Sequence, residues 1–210
     1  MLPTETPIQT PTGIPTQTPT PTITASPTST PTPEPSLTPI IASTGPIATA
    51  KTPLRLGREE NLPQAGFSFK APVGYSPIYQ PNQVTLTSVD QDTVFTFIGG
   101  KMEHEDELVI DLEQFIQIIS VTLDELITGE FYEYFVDGAA GTAAELKGLY
   151  GENHITGRVL VVAPSEDQIF YALAISPDTD SGEGWEPEGR QAFEAVIRTI
   201  SFFEPILPAE

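Results

Sequence analysis

The sequence contains no cysteine, and this absence excludes disulfides, zinc–thiolate sites and thiol nucleophiles. It also contains no apolar run of about 18 residues, so no segment predicts a transmembrane helix. Basic residues are scarce, since nine Lys and Arg stand against 29 Asp and Glu and the formal net charge is −20. Nucleic acid is therefore not expected as a partner, because binding phosphates needs clustered Lys and Arg. Direct adsorption to an anionic membrane face is disfavoured for the same reason.

Histidine is also rare, and the two histidines of the chain give little support for catalysis. His104 lies in the acidic run 103–107, and His154 follows a predicted turn. Both are interpreted as polar surface residues and not as general bases. The chain has no Gly-x-Ser-x-Gly elbow and no Gly-rich phosphate loop. We therefore expect a protein that is not an enzyme. Of the three functions considered for this chain, a small hydrolase ranks last.

The first 50 residues differ in composition from the rest of the chain. Residues 1–50 contain 12 of the 22 prolines, 15 threonines, and no aromatic or basic residue. Such a segment buries too little apolar area to offset the entropy of ordering, about 1–2 kcal/mol per residue for the backbone. It is predicted to be a disordered Pro/Thr-rich stalk, followed by a charged linker at 51–64. Extended at about 3.1 Å per residue, the stalk would reach up to ~150 Å.

Tracts of this kind resemble the stalks of bacterial surface proteins. On that hypothesis the protein is extracytoplasmic, held at the cell surface or envelope, and its anchor or export signal preceded Met1. The alternative is a disordered leader of a cytosolic protein.

Residues 65–205 are predicted to form one globular domain, with 24 acidic and six basic residues and a net charge of −18. Segments 154–163 and 168–175 are apolar at consecutive positions, which is typical of central strands covered on both faces. Residues 84–89 (VTLTSV) alternate apolar and hydroxyl side chains, which indicates a half-exposed strand. Together with residues 93–98 they predict a hairpin.

Two helices are expected to cover this sheet. The first would run from Asp111, as N-cap with Gln114 as its capping-box partner, to Gly129, and the second would span 186–199. Further strands are predicted at 131–136, 142–150 and 201–203. The predicted fold class is α+β: an antiparallel β-sheet of about six or seven strands with helices on both faces, an α/β/α sandwich.

Two sequence segments carry a resemblance to a known family. The domain opens with a short strand that runs into a Pro-x-Gly-aromatic turn at residues 69–75 (FKAPVGY), and its last helix runs into an aromatic strand at 192–203 (AFEAVIRTISFF). This arrangement resembles the PsbP-like family, whose sandwich also occurs in a yeast Ran-binding import factor and in bacterial envelope lipoproteins. The family shares no catalytic residues. The resemblance implies a non-enzymatic adaptor or accessory domain that binds another protein.

One acidic segment is a candidate cation site. Residues 178–183 (DTDSGE) begin like a calcium loop, with Asp178, Asp180 and Glu183 as the candidate ligands. The segment departs from the EF-hand pattern, because glycine stands at its fifth place and Gly189 at its twelfth. Apart from this calcium, no cofactor is expected. An extracellular calcium- or glycan-binding module is therefore the main alternative function.

Aromatic residues are the candidates for contact with a protein partner. Alternation along residues 131–136 places Tyr132 and Tyr134 on one face of the strand and Phe131 and Phe135 on the other. Trp185 precedes the last helix and would either staple the core or anchor a rim. Tyr132, Tyr134 and Trp185 are the predicted partner-binding residues.

Overall fold

The computed structural model describes residues 54–102, 107–178 and 185–207, and the predicted stalk, residues 1–50, lies outside these ranges. Within them the chain forms eleven β-strands, two α-helices and one π-helical turn. The strands make an eight-stranded sheet and a separate three-stranded sheet. All strand pairs are antiparallel, which confirms the predicted α+β class, with more strands than expected.

The eight-stranded sheet has the order β3-β4-β5-β10-β9-β8-β6, and β7 also pairs with β8. The three-stranded sheet has the order β1-β2-β11. The bounds of the strands are β1 Leu56–Leu62, β2 Phe67–Pro72, β3 Ser76–Gln80, β4 Gln83–Thr87, β5 Val94–Lys101, β6 Asp124–Thr128, β7 Tyr132–Val136, β8 Ala139–Tyr150, β9 Asn153–Ser165, β10 Gln168–Pro177 and β11 Ser201–Phe202. The helices are α1 Leu108–Ile119 and α2 Arg190–Ile197, and the π-helical turn is Trp185–Gly189. No described helix is long and apolar enough to cross a bilayer.

The large sheet carries a hydrophobic core on each of its faces. One core contains Phe97 and Phe170 of the sheet and Phe193 of α2, together with residues of the small sheet. The other core contains Leu112 of α1 and Val161 of β9. Neighbouring residues of β9 and β10 are consequently buried in succession, which confirms that the two consecutive apolar segments are central strands covered on both faces.

The first helix is shorter than the sequence predicted. It begins at Leu108, with Glu107 as its N-cap, and ends at Ile119, so the prediction of Asp111 as N-cap was wrong. Asp111 lies inside the helix and is buried. The segment expected to form the last helical turns is β6, whose residue Thr128 pairs with Leu146. The ladder bonds that β6 gains at the edge of β8 outweigh the helical spacing of its apolar residues.

The second helix also begins later than predicted. The π-helical turn Trp185–Gly189 precedes α2, and Glu186 has non-helical backbone angles. The predicted strand at 142–150 is confirmed as part of β8. The last strand, β11, is confirmed, but it pairs with β2 in the small sheet.

Candidate functional site

Arg158 is a charged residue in the middle of the buried strand β9, and only 4% of it is exposed. It pairs across the ladder with Glu145 of β8 and points to the face that carries α2. Its Nε and Nη2 donate to Glu145 Oε1 at 2.9 and 2.7 Å, and its Nη1 donates to Glu194 of α2. A buried guanidinium needs such partners, because an unpaired charge in the interior costs several kcal/mol.

The two carboxylates extend the cluster toward the surface. Glu145 also accepts hydrogen bonds from Arg190 Nη2 at 2.8 Å, Tyr132 Oη at 3.1 Å and Trp185 Nε1 at 3.2 Å. Glu194 accepts from Tyr134 Oη at 2.9 Å. We call the set Arg158, Glu145, Glu194, Arg190, Tyr132, Tyr134 and Trp185 the Arg158 network. It joins β7, β8 and β9 to the π-helical turn and α2.

The three predicted partner-binding residues meet in this network. The rings of Tyr132, Tyr134 and Trp185 surround the guanidinium of Arg158, whose Cζ lies 5.8, 5.4 and 5.9 Å from their centroids. At these distances each ring attracts the cation through its quadrupole. Trp185 is buried, and the two tyrosines are half-buried.

The electrostatics of the network follow from burial and charge pairing. Burial opposes ionisation of Arg158, but its bonds to Glu145 and Glu194 raise its pKa further above the usual value. Burial alone would raise the pKa of Glu145. The hydrogen bonds and positive charges of Arg158 and Arg190 have a larger combined effect, so the pKa of Glu145 is lowered. Burial raises the pKa of Tyr132 to about 12, and burial with the bond to Glu194 raises that of Tyr134. Arg158, Glu145, Tyr132 and Tyr134 therefore hold fixed protonation states near neutral pH.

Arg158, Glu145 and Glu194 were not predicted as site residues from the sequence. Arg158 stands in a segment that was predicted to be covered on both faces, and a buried guanidinium there requires an acidic partner. That signal was available in the sequence. The choice of Glu145 among many acidic residues depends on the register of β8 against β9, which the composition does not reveal.

Of the three candidate calcium ligands, only Asp178 lies among the described residues. Asp178 is exposed at the end of β10, and its backbone N–H donates to the carbonyl of His154 at 2.8 Å. Asp180 and Glu183 lie outside the described residues, as does His104. Among the described residues no group of three or more His, Asp or Glu side chains could hold a metal ion. The calcium site therefore stays a prediction.

A second feature is a part of the large sheet whose side chains carry no charge. α1 packs over β8 and β9, while on the same face the side chains of β3, β4 and β5 are half or fully exposed. Three cross-strand rows form this surface, which we call the uncharged face: Ser76, Thr87 and Val94; Ile78, Thr85, Thr96 and Leu173; Gln80, Gln83, Ile98 and Tyr171. The hydroxyls of Thr85 and Thr96 lie 3.3 Å apart across the middle row.

The half-exposed strand predicted from VTLTSV is confirmed as β4, whose threonines belong to the uncharged face. Ile78 is its most exposed apolar side chain, at 62%. The stretch 71–89, which includes β3 and β4, contains no charged residue although the chain has a net charge of −20. The face is therefore a local exception on an acidic domain.

Solved structures show which known fold this arrangement matches. The Ran-binding protein Mog1p of Saccharomyces cerevisiae matches with a TM-score of 0.54 and 9% identity over 72% of this chain and 97% of its own. LpqN of Mycobacterium tuberculosis, described as involved in cell envelope biogenesis, matches with a TM-score of 0.50 and 11% identity over 72% of this chain and 92% of its own. The domain shares the fold of Mog1p and LpqN.

Cyanobacterial PsbP from Synechocystis is a further similar structure, with a TM-score of 0.49, 13% identity and coverage of 76% of this chain and 99% of that one. The fold shared with Mog1p and LpqN confirms the resemblance to the PsbP-like family at the level of the fold. No protein-family model matches the sequence, and a search of curated proteins finds no match. At these identities the likeness concerns the fold and leaves function to the chemistry of the surface.

Proposed function

We propose that this protein is a non-enzymatic accessory or adaptor domain that binds another protein of the cell envelope through the uncharged face. The observation that carries this proposal is the face itself, a charge-free surface of three rows on a domain whose net charge is −18. Depletion of charge is the compositional mark of the centre of a protein interface.

Electrostatics makes this surface the favourable place for contact. Elsewhere the acidic domain repels other acidic proteins, and docking a carboxylate against an apolar surface would cost its hydration. On the uncharged face, threonine hydroxyls and β-branched side chains lose little hydration when another surface covers them. The partner expected there is a protein whose contact surface is also uncharged.

The extracytoplasmic location belongs to the same proposal. The Pro/Thr-rich composition of residues 1–50 supports a spacer that holds the domain away from a surface. LpqN, which shares the fold, is described as involved in cell envelope biogenesis. An adaptor held on a spacer would meet its partner at the envelope.

Site-specific photo-crosslinking in intact host cells tests the proposal. A benzoyl-phenylalanine at Ile78 on the uncharged face should give one discrete adduct with another protein, whereas the same probe at exposed Glu152 should not. Adding Thr85→Glu should lower the yield of that adduct at least tenfold, because it places a charge in the middle row. Thr122→Glu, at an exposed position outside the face, should leave the yield unchanged.

Two outcomes would contradict the proposal. Equal adducts at Ile78 and Glu152 would mean that the face has no special role. An adduct only with a second copy of this chain would replace an adaptor with a dimer.

A further inference from the structure

In the part of the chain that the structure describes, β7 pairs only with β8, and its other edge is free at the side of the large sheet opposite β3. β7 and β8 form a hairpin whose two-residue turn, Asp137 and Gly138, has positive φ angles of 50° and 80°. A two-residue turn with two positive φ angles matches the right-handed twist of the two strands that it connects. In such a hairpin the residues beside the turn form a hydrogen-bonded pair, and bonded and non-bonded pairs then alternate. The N–H and C=O groups of Glu133 and Phe135 consequently point away from β8.

A groove of about 380 Å³ runs between this edge and α2. Phe135, Val136 and Asp137 line its strand side, and Ile197 and Arg198 line its helix side. An edge strand that faces a helix across a groove is a geometry in which domains bind extended peptides as an added strand. Main-chain hydrogen bonds to the edge supply affinity, and the helix side chains supply selectivity.

The other edge of the sheet is built differently. β3 contains Pro77, which has no backbone N–H and interrupts the row of donors that an incoming strand would need. Proline in an edge strand is one of the devices by which proteins prevent strand addition. β7 (YEYFV) contains no proline, and its Phe135 side chain is 57% exposed. Of these two edges, only β7 keeps an uninterrupted row of outward donors.

The charges around the groove select the kind of segment that it fits. Asp137 is exposed on the strand side, and Glu194 on the helix side is partly exposed and bound to Arg158. Arg198 is the basic residue that lines the groove, and the domain carries a net charge of −18. A basic segment would therefore be attracted and an acidic one repelled.

We propose that the groove between β7 and α2 binds an extended, basic segment of a partner protein, which adds as a strand to the free edge of β7. This site is separate from the uncharged face, so it extends the proposed function without depending on it. Main-chain bonds to Glu133 and Phe135 hold the segment, and its Lys or Arg side chains lie near Asp137.

Nuclear magnetic resonance of the isotope-labelled full chain tests this proposal with defined probes. The first probe is a nine-residue peptide of alternating Lys and Val, and the matched probe alternates Lys and Pro, which keeps the charge but cannot donate along a strand. With the Lys–Val peptide, the amide signals of Glu133 and Phe135 should shift and their hydrogen exchange should slow at least tenfold. With the Lys–Pro peptide, neither amide should gain protection.

Variants separate the main-chain contact from other effects. Phe135→Pro removes an outward N–H and should weaken binding of the Lys–Val peptide at least tenfold, whereas Phe135→Ala keeps that N–H and should retain most of the affinity. The exchange measurement needs no variant, so the proposal stays testable if Phe135→Pro does not fold. Thr85→Glu on the uncharged face should leave peptide binding unchanged, which distinguishes failure of this site from failure of the proposed function.

Similar shifts with both peptides, spread over the acidic surface, would show that charge alone attracts the probe and would overturn the proposal. So would protection confined to Tyr79 and its neighbours in β3.

Discussion

Replacing Arg158 with methionine should destabilise the domain by about 2 kcal/mol. Methionine retains much of the side-chain stem but lacks the guanidinium that binds Glu145 and Glu194. Removing one partner of a fully buried ion pair costs about 3–5 kcal/mol. Here the carboxylates left behind keep 37% and 27% of their side chains exposed, so water replaces part of what is lost and lowers the cost.

A double-mutant cycle separates this interaction from lost packing. Glu194→Gln alone should cost about 1 kcal/mol, because the amide oxygen can still accept the hydrogen bond of Tyr134. The double variant with Arg158→Met should cost less than the sum of the two, with a coupling of about 1 kcal/mol. Urea unfolding followed by fluorescence measures all four free energies of unfolding. Trp185 is the only tryptophan of the chain and lies in the network, so the signal reports on this region.

Two results would refute the reasoning. An Arg158→Met variant that unfolds within about 0.5 kcal/mol of the parent would mean that the network does not hold α2 on the sheet. A coupling near zero would mean that Arg158 and Glu194 act independently, although their side chains are in contact.

The same network predicts how stability changes in acid. The pKa of Glu145 is lower in the folded protein than in the unfolded chain. The carboxylate therefore contributes stability that is present above the unfolded pKa, about 4.3, and is lost as the pH falls through the lower folded value. Arg158→Met should remove much of this part of the pH dependence, which acid titrations of both proteins would show.

Three further predictions concern the core and the ladder. Val161→Asp places a charge in a fully buried position of β9 and should cost several kcal/mol, so a variant that melts like the parent would show that the layer order is wrong. Gly157→Ala would bring a Cβ to 1.8 Å from the carbonyl oxygen of Ala174, so its melting temperature should fall well below that of the control Gly129→Ala, whose Cβ would meet ordinary contacts at 3.6 Å. Tyr132, with a pKa raised to about 12, contributes stability that is present below pH 10 and lost as the pH rises through 12. The difference in absorbance at 295 nm between the parent and Tyr132→Phe should show its late ionisation.

The fold was predictable where the burial of a strand is visible in the residue pattern of that strand alone. Consecutive apolar residues in β9 and β10 predicted two covered faces, and the alternation of valine, leucine and threonine in β4 predicted one exposed face. These signals are local, because a strand's own side chains report which of its faces meets water. These three strands and their covered or exposed faces were correctly predicted for this reason.

The boundary of α1 was not predictable in the same way. Leu123 and Leu126 stand at helical spacing from Ile116 and Ile119, and nothing local distinguishes a longer helix from a helix followed by a strand. The edge of β8 determines that residues 124–128 form a strand, because β6 forms main-chain bonds there and places Leu126 against the core. That edge exists only once β8 is assembled.

The Arg158 network depends on long-range register in a similar way. Tyr132, Tyr134 and Trp185 were selected from the sequence for their chemistry, and the structure places them around one guanidinium. Their role in binding a partner stays a prediction. Glu145 could not be chosen in advance, because only the β8–β9 register puts it opposite Arg158.

The distribution of the few cations explains how an acidic domain can present a surface suited to contact. Arg158, Arg190 and Lys101 each bind two carboxylates of this same chain. Cations that are used in this way leave the remaining acidic surface without local compensation, and that surface disfavours contact with other acidic proteins. Two places escape this repulsion for different reasons. The uncharged face has no carboxylate to be desolvated, and the β7–α2 groove offers the carboxylate of Asp137 to a basic segment. A partner that used both would have to present an uncharged surface and a separate basic strand, which an acidic protein of the same kind does not offer.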